Sequence, residues 1–287
     1  MIRPIRRNAP RPAALCVLVA ALAVSLMLTG CGGGGAQASP GRTSAVPSAQ
    51  GGAPSSLPEV SLKEARQKSQ EAAQELAREL AQEVAQEVAQ KLPQQLPGLG
   101  PETLAEVPAG TRQVVVVTGR DKDSSLSTVV LYERTEAGWK AGASWSAHNA
   151  RDGWSDHHMA GDLRSPIGVF GLTDAGGLLA DPGSRLPYDR SGAFTVSGTG
   201  FEGESLAGSF DYVVAINYNR TPGTSPLDWT RPLGTGRGGG IWIHVDHGGP
   251  THGCVSLRKD RMRELLRALD PALHPVVVMG DADSLSR

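Results

Sequence analysis

Hydrophobic and polar positions alternate near the C-terminal end of the chain and then change to a helical period. Residues 240–245 alternate and are rich in β-branched and aromatic side chains, which predicts a strand. Further on, apolar residues recur at helical spacing, at Met262, Leu265, Leu266 and Leu269. Because Ser256 suits an N-cap and Asp270-Pro271 stops the pattern, we predict a helix over about residues 257–269.

The folded part is predicted to begin near Thr111 and to consist mainly of short strands. β-branched runs at 114–118 and 128–133 flank the turn-forming residues 121–125, which is typical of a hairpin. Other runs predict strands at 194–196, 212–217 and 276–279. Many short strands with a single clear helix, the one after Cys254, favour a mainly β fold, either all-β or a mixed β-sandwich.

A four-residue repeat of good helix formers occupies residues 61–92 and predicts a long helix. Its apolar stripe is narrow and consists of Leu76, Leu80, Val84, Val88 and Leu92. Such a helix can be a solvated spacer, a helix laid on the domain, or a seam for self-association; we favour the spacer. Prolines after the helix predict a linker over residues 93–110.

The N-terminus has the layout of an export signal. Arginines precede an apolar run that ends in Leu28-Thr29-Gly30-Cys31, which resembles a bacterial lipobox. We therefore predict a lipoprotein signal peptide over residues 1–30, lipidation of Cys31, and a disordered Gly/Ser/Pro-rich tether over residues 31–60. The expected location is the outer face of the cytoplasmic membrane, facing the cell wall.

Charge and cysteine content narrow the function further. The net charge of −1 with 20% charged residues argues against a nucleic-acid-binding protein. Of the three cysteines, Cys16 leaves with the signal peptide and Cys31 carries lipid, so Cys254 has no intramolecular partner. We interpret Cys254 as a reactive thiol rather than an inert buried one, because it follows a turn rich in Gly, Pro and His.

Cys254 lies close in sequence to several groups that suit nucleophilic catalysis. An extended 252–254 segment places the His252 and Cys254 side chains on one side, and nearby imidazoles and a helix start favour the thiolate. The amides of Gly253 and Cys254 are candidates for holding an oxyanion. Trp242 and His244 share a face of the predicted strand, so Trp242 is a candidate wall of the site. No metal site is predicted, because the spacing of the His and Cys residues fits no Zn²⁺ pattern.

Two segments carry a resemblance to a known family. Thr251-His252-Gly253-Cys254-Val255 resembles the Ser/Thr-His-Gly-Cys-hydrophobic signature of the L,D-transpeptidase (YkuD) catalytic domain, and residues 165–170, Ser-Pro-Ile-Gly-Val-Phe, resemble its Thr-Pro-x-Gly-x-Phe stretch. His244 matches the upstream histidine, although the connection to Thr251 is shorter than is common, and Ser256 stands where Asn or Arg is usual. The resemblance implies a catalytic domain over residues 111–281 with the fold of that family, followed by a tail over residues 282–287.

The resemblance also implies a function and roles for individual residues. Cys254 would be the nucleophile and His244 the base, often oriented in this family by a backbone carbonyl, while His252 shapes the site or replaces the base. Gly253 would supply an oxyanion N–H, and Thr251, Ser256 and Trp242 would contribute to binding. The implied activity is peptidoglycan 3→3 crosslinking through a cysteinyl thioester, without a cofactor. The alternatives are an L,D-carboxypeptidase, an enzyme that attaches protein to the wall, a non-catalytic wall-binding lipoprotein and a metal-binding lipoprotein.

Overall fold

The computed structural model describes residues 59–287, so the predicted signal peptide, Cys31 and nearly all of the tether lie outside the described residues. The α-helices are Glu59–Lys91 (α1), Pro101–Glu106 (α2), Lys259–Ala268 (α3) and Ala282–Leu285 (α4). The strands are Gln113–Gly119 (β1), Leu126–Thr135 (β2), Gly138–His148 (β3), Trp154–Ser155 (β4), Ser165–Pro166 (β5), Gly168–Gly171 (β6), Ala175–Gly177 (β7), Tyr188–Arg190 (β8), Val213–Ala215 (β9), Trp242–Val245 (β10), Val255–Leu257 (β11) and Val276–Asp281 (β12). Short 3₁₀ turns cover Thr235–Arg237 and Pro271–Leu273.

Ten of these strands form one large sheet in the order β6-β12-β1-β2-β3-β11-β10-β9-β7-β8. The first strand, β1, pairs antiparallel with β2 and parallel with the last strand, β12. The expected hairpin of β1 and β2 and the mainly β fold with sandwich character are therefore confirmed.

The sheet separates two hydrophobic cores. Successive side chains of a strand point to opposite faces, so the valines of β1 divide between them. Val115 and Val117 enter the larger core, which also holds the buried face of α3. Val114 and Val116 enter a smaller core that includes Leu96 and Leu285.

One predicted strand is absent from the structure, and strands β3 to β8 and β11 have no predicted counterpart. Residues 194–196 form no strand; Phe194 is instead a buried loop residue whose ring lies 5.8 Å from that of Trp242. The long strand β3 was not predicted, because its small and polar residues carry no β-branched signal and much of it is exposed. Pairing with β2 along its length, and with β11 at its end, holds it in the sheet.

The helix after Cys254 exists but begins at Lys259, and Ser256 does not cap it. Ser256 is the central residue of β11, which pairs in parallel with β10 and antiparallel with β3. These pairings compete with the helix for the same backbone groups and fix residues 255–257 as a strand.

Both segments that flank the predicted domain pack onto it. Leu96 is buried, α2 lies within the expected 93–110 linker, and the Gly100 amide donates to the Leu285 carbonyl at 2.8 Å. In the expected tail, Leu285 of α4 fills the smaller core. The folded unit thus includes these residues as well as 111–281.

The predicted helical spacer is confirmed as a helix, and at 1.5 Å per residue α1 is about 50 Å long. Leu76, Leu80 and Val84 of its apolar stripe are each more than half exposed. Its role as a spacer or a self-association seam stays a prediction. Within residues 59–287, every helix is too short or too polar to cross a bilayer.

Candidate active site

Cys254 ends the loop that joins the parallel neighbours β10 and β11. At the start of this loop, one carboxylate oxygen of Asp246 accepts a hydrogen bond from Ser256 Oγ at 2.8 Å and lies 2.8 Å from His148 Nδ1. Burial alone would raise the pKa of Asp246, but these two contacts outweigh it and lower the pKa to about 2. Asp246 is therefore an anion that follows β10 and links it to β3 through His148 and to β11 through Ser256.

The backbone of Cys254 is held from two sides by hydroxyl groups. Its carbonyl accepts hydrogen bonds from Thr251 Oγ1 at 2.7 Å and from Ser165 Oγ at 3.5 Å. Ser165 Oγ also accepts the Ala150 amide at 3.1 Å. The two segments that carry the family resemblance thus meet at this carbonyl, and Thr251 contacts the backbone of the cysteine.

The Cys254 thiol contacts backbone groups rather than an imidazole. Its sulfur accepts the Trp242 amide at 3.4 Å and donates to the Gly240 carbonyl at 3.6 Å. Burial raises the pKa of this thiol to about 11, and the Trp242 N–H opposes the rise. The expectation of a thiolate favoured by a helix start and imidazoles is therefore wrong for the free protein: α3 begins only at Lys259, after β11.

His244 is buried on the face of β10 opposite to Ile243 and Val245, where its ring lies edge-on to Phe210 at 5.4 Å. Its Nδ1 is 2.9 Å from the Val245 carbonyl, and because a carbonyl only accepts, Nδ1 carries the proton. Burial lowers the pKa of His244 to about 4, so the ring is neutral at pH 7 with Nε2 as its basic atom. A backbone carbonyl beside the histidine is the arrangement that the family resemblance implied.

The other predicted site residues occupy different positions around the loop. The Trp242 ring packs edge-on against Phe210, with 5.0 Å between the ring centroids. Trp242 contacts the thiol through its backbone amide and not through its side chain. His252 is exposed, with its ring 4.6 Å from that of Phe201. Ser256 is fully buried, and its hydroxyl donates to Asp246.

The amides of Gly253 and Cys254 are both available to a ligand. Within the described part of the chain, neither amide donates to a backbone or side-chain acceptor. A Cβ on Gly253 would lie 3.0 Å from Ile241 Cδ1, so glycine lets this turn sit tightly on the core. Two adjacent free N–H groups beside a thiol are suited to hold an oxyanion.

A cavity of about 550 Å³ opens beside the thiol. Its walls are formed by three segments: 158–163, 229–241 and 252–254. His252, Gly253 and Cys254 belong to the third, so the histidine and the cysteine of this turn line one cavity.

Sequence reasoning missed three residues of this cavity: His158, Trp229 and Arg231. His158 is buried with Nδ1 2.9 Å from Asp162 Oδ1, and burial lowers its pKa although Asp162 opposes this. Trp229 is 79% exposed and carries the Arg231 guanidinium over its ring at 4.9 Å. The glycine run 238–240 was the available signal, because glycines often mark a close approach to the backbone.

Comparisons with known proteins place this site in a family. A search of curated proteins found no match. Among solved structures, the chain is similar to the helical cell shape determining protein Pgp2 from Campylobacter jejuni, with 16% identity, 59% of this chain and 48% of that chain covered, and a TM-score of 0.34. It is also similar to Bd1075 from Bdellovibrio bacteriovorus, with 19% identity, coverage of 65% and 53%, and a TM-score of 0.35.

The chain spans about half the length of each of these two structures. The family model of the L,D-transpeptidase catalytic domain, YkuD, matches residues 112–278, which is more than half of the chain. That range includes both segments that meet at Cys254. The chain therefore belongs to the L,D-transpeptidase catalytic domain family.

Proposed function

We propose that the domain is a cysteine acyltransferase that forms 3→3 crosslinks between peptidoglycan stem peptides. The observation that carries the proposal is the Cys254 sulfur on the wall of a cavity, next to the two free amides of Gly253 and Cys254. Membership of the L,D-transpeptidase family supports peptidoglycan as the substrate class.

In the first step, Cys254 attacks the carbonyl of the third residue of a tetrapeptide stem. The thiol proton passes to Nε2 of His244 and then to the leaving amine, so that D-Ala departs and a thioester remains. The amides of Gly253 and Cys254 hold the negative oxygen in the tetrahedral intermediate. Burial raises the pKa of the thiol and lowers that of His244, so both groups are neutral at pH 7 before the attack and the thiol has to lose its proton during it.

In the second step, the side-chain amine of a neighbouring stem attacks the thioester and releases the thiol. His252, at the exposed end of the cavity, is positioned to shape the entry of this acceptor. Anchoring of the chain by a lipidated Cys31, with α1 as a spacer, would hold the domain above the outer face of the cytoplasmic membrane.

The test is acylation of the full chain by a carbapenem, measured as intact mass beside Cys254→Ala and His244→Ala. We expect an adduct on the wild-type chain, none on Cys254→Ala, and slower formation on His244→Ala. Product masses from tetrapeptide stems then decide the acceptor: a crosslinked dimer supports the proposal, and hydrolysis alone indicates a carboxypeptidase. A folded wild-type chain with neither adduct nor product would refute the proposal and favour a non-catalytic wall-binding lipoprotein.

A further inference from the structure

The Arg231 side chain packs against the glycine run 238–240, which also contacts the thiol. A Cβ on Gly239 would lie 2.2 Å from Arg231 Nε, and a Cβ on Gly240 would lie 3.5 Å from Nη2. The Gly240 carbonyl is also the acceptor of the Cys254 thiol. The absence of side chains at both glycines therefore lets the guanidinium lie against the same residue, Gly240, that the thiol contacts.

The charge of Arg231 has no carboxylate partner in the part of the chain that the structure describes. Nη1 donates to the Asp228 and Thr230 carbonyls, both at 3.0 Å, and the ring of Trp229 covers one face. Nε and Nη2 have no acceptor among the described residues. Burial lowers the pKa of Arg231, although the nearby negative charge of Asp228 opposes this change.

The cavity as a whole lacks negative groups. No Asp or Glu belongs to its described lining, where the titratable residues are His158, Arg231, His252 and Cys254. Arg220, which is buried, instead pairs with buried Asp174 at 2.8 Å. A planar guanidinium with two free donors is suited to a carboxylate, which it binds through two parallel hydrogen bonds.

We propose that Arg231 binds the free α-carboxylate of the substrate residue that is expelled, and so selects stems in which the scissile bond is the last one. This inference rests on the proposed function and names the group that the site recognises. In a peptide, the carbonyl carbon before the last bond and the terminal carboxylate carbon are only about 3–4 Å apart. Arg231 and Cys254 line the same cavity and both lie beside Gly240, so the carboxylate and the scissile carbonyl of such a chain end each have a partner in that cavity.

The contact acts in only one half of the reaction. When the sulfur bonds to the carbonyl carbon and the C–N bond breaks, the amine takes the proton and leaves as a free amino acid. The carboxylate departs with it, so Arg231 stabilises the donor complex and the first transition state but not the thioester. Substitution of Arg231 should therefore slow acylation and leave the attack of the acceptor on the thioester unchanged.

The experiment compares two tetrapeptide stems with the full chain, one with a free C-terminal carboxylate and one with a C-terminal carboxamide. We expect the wild-type chain to favour the carboxylate in kcat/KM by about 10- to 100-fold, the range for a hydrogen-bonded charge pair. Arg231→Gln should remove this preference by slowing only the carboxylate substrate, and Arg231→Lys should keep part of it. Arg263→Gln, which removes the same charge from the exposed face of α3, should match the wild type.

The outcomes separate this inference from the proposed function. If the wild-type chain uses the two peptides equally well, the role of Arg231 is overturned while acyl transfer stands. This comparison uses only the wild-type chain, so it does not depend on whether a variant folds. An Arg231→Gln chain of normal stability that slows both peptides alike would overturn it as well. If the wild-type chain uses neither peptide and forms no carbapenem adduct, both proposals fail together.

Discussion

Alkylation of Cys254 by iodoacetamide should be slow at neutral pH, because the thiolate is the reacting form and burial disfavours it. With a pKa of about 11, the thiolate fraction at pH 7 is about 1 in 10⁴, against about 1 in 10² for an ordinary thiol with a pKa of 9. A thiolate of higher pKa is intrinsically more nucleophilic, and two pKa units recover about tenfold or slightly less. The net expectation is a rate about tenfold below that of a free cysteine.

The assay follows alkylation of the full chain from pH 6 to 9, with peptide mass mapping so that only modification at Cys254 is counted. The rate should rise about tenfold per pH unit over this range, since the pKa lies above it. His244→Gln should give the same slope, because the resting thiol contacts the Gly240 carbonyl and not the imidazole. A plateau between pH 6 and 8 that disappears in His244→Gln would show a preformed thiolate–imidazolium pair and refute this reasoning.

Three further variants test the surroundings of the thiol. Asp246→Asn should lower the free energy of unfolding at pH 7, measured by urea denaturation, by about 1–3 kcal/mol. Because the pKa of Asp246 is lowered to about 2, the wild type should lose this advantage over the variant as the pH falls from about 4 to 2. Burial lowers the pKa of His244 to about 4, so the wild type should lose stability as the pH falls from 6.5 to 4. His244→Gln should lose less stability over this range. If urea titrations give parallel curves of stability against pH for the two chains, the burial argument is contradicted. Gly239→Ala places a Cβ 2.2 Å from Arg231 Nε at a φ of +142°, so it should cost about 1–3 kcal/mol in thermal unfolding; an unchanged Tm would contradict the close approach.

The elements that sequence patterns predicted are those whose signal is local. Each of these signals lies within one short window of sequence: the valines of β1, the alternation along residues 240–245, and the apolar spacing of α3. The start of α3 was placed too early, because Ser256 is a good N-cap in isolation while its backbone is committed to the sheet. Strand β3 has no such window, and only its neighbours make it a strand.

The same distinction applies to the site. Thr251, Gly253 and Cys254 stand in one pentapeptide, so the motif could be recognised directly. Arg231 and His158 reach the cavity only through the fold. No spacing rule joins them to Cys254, and the glycines that admit them resemble an ordinary flexible segment when taken alone.

The pairing of β1 with β12 has a consequence for the timing of folding. The first strand of the domain receives its parallel neighbour only from residues 276–281, and Gly100 finds its acceptor at Leu285. A chain still in synthesis therefore lacks the parallel neighbour of β1 until residues 276–281 have been added. Such long-range closure slows folding, because the intervening chain has to be ordered before the contact forms.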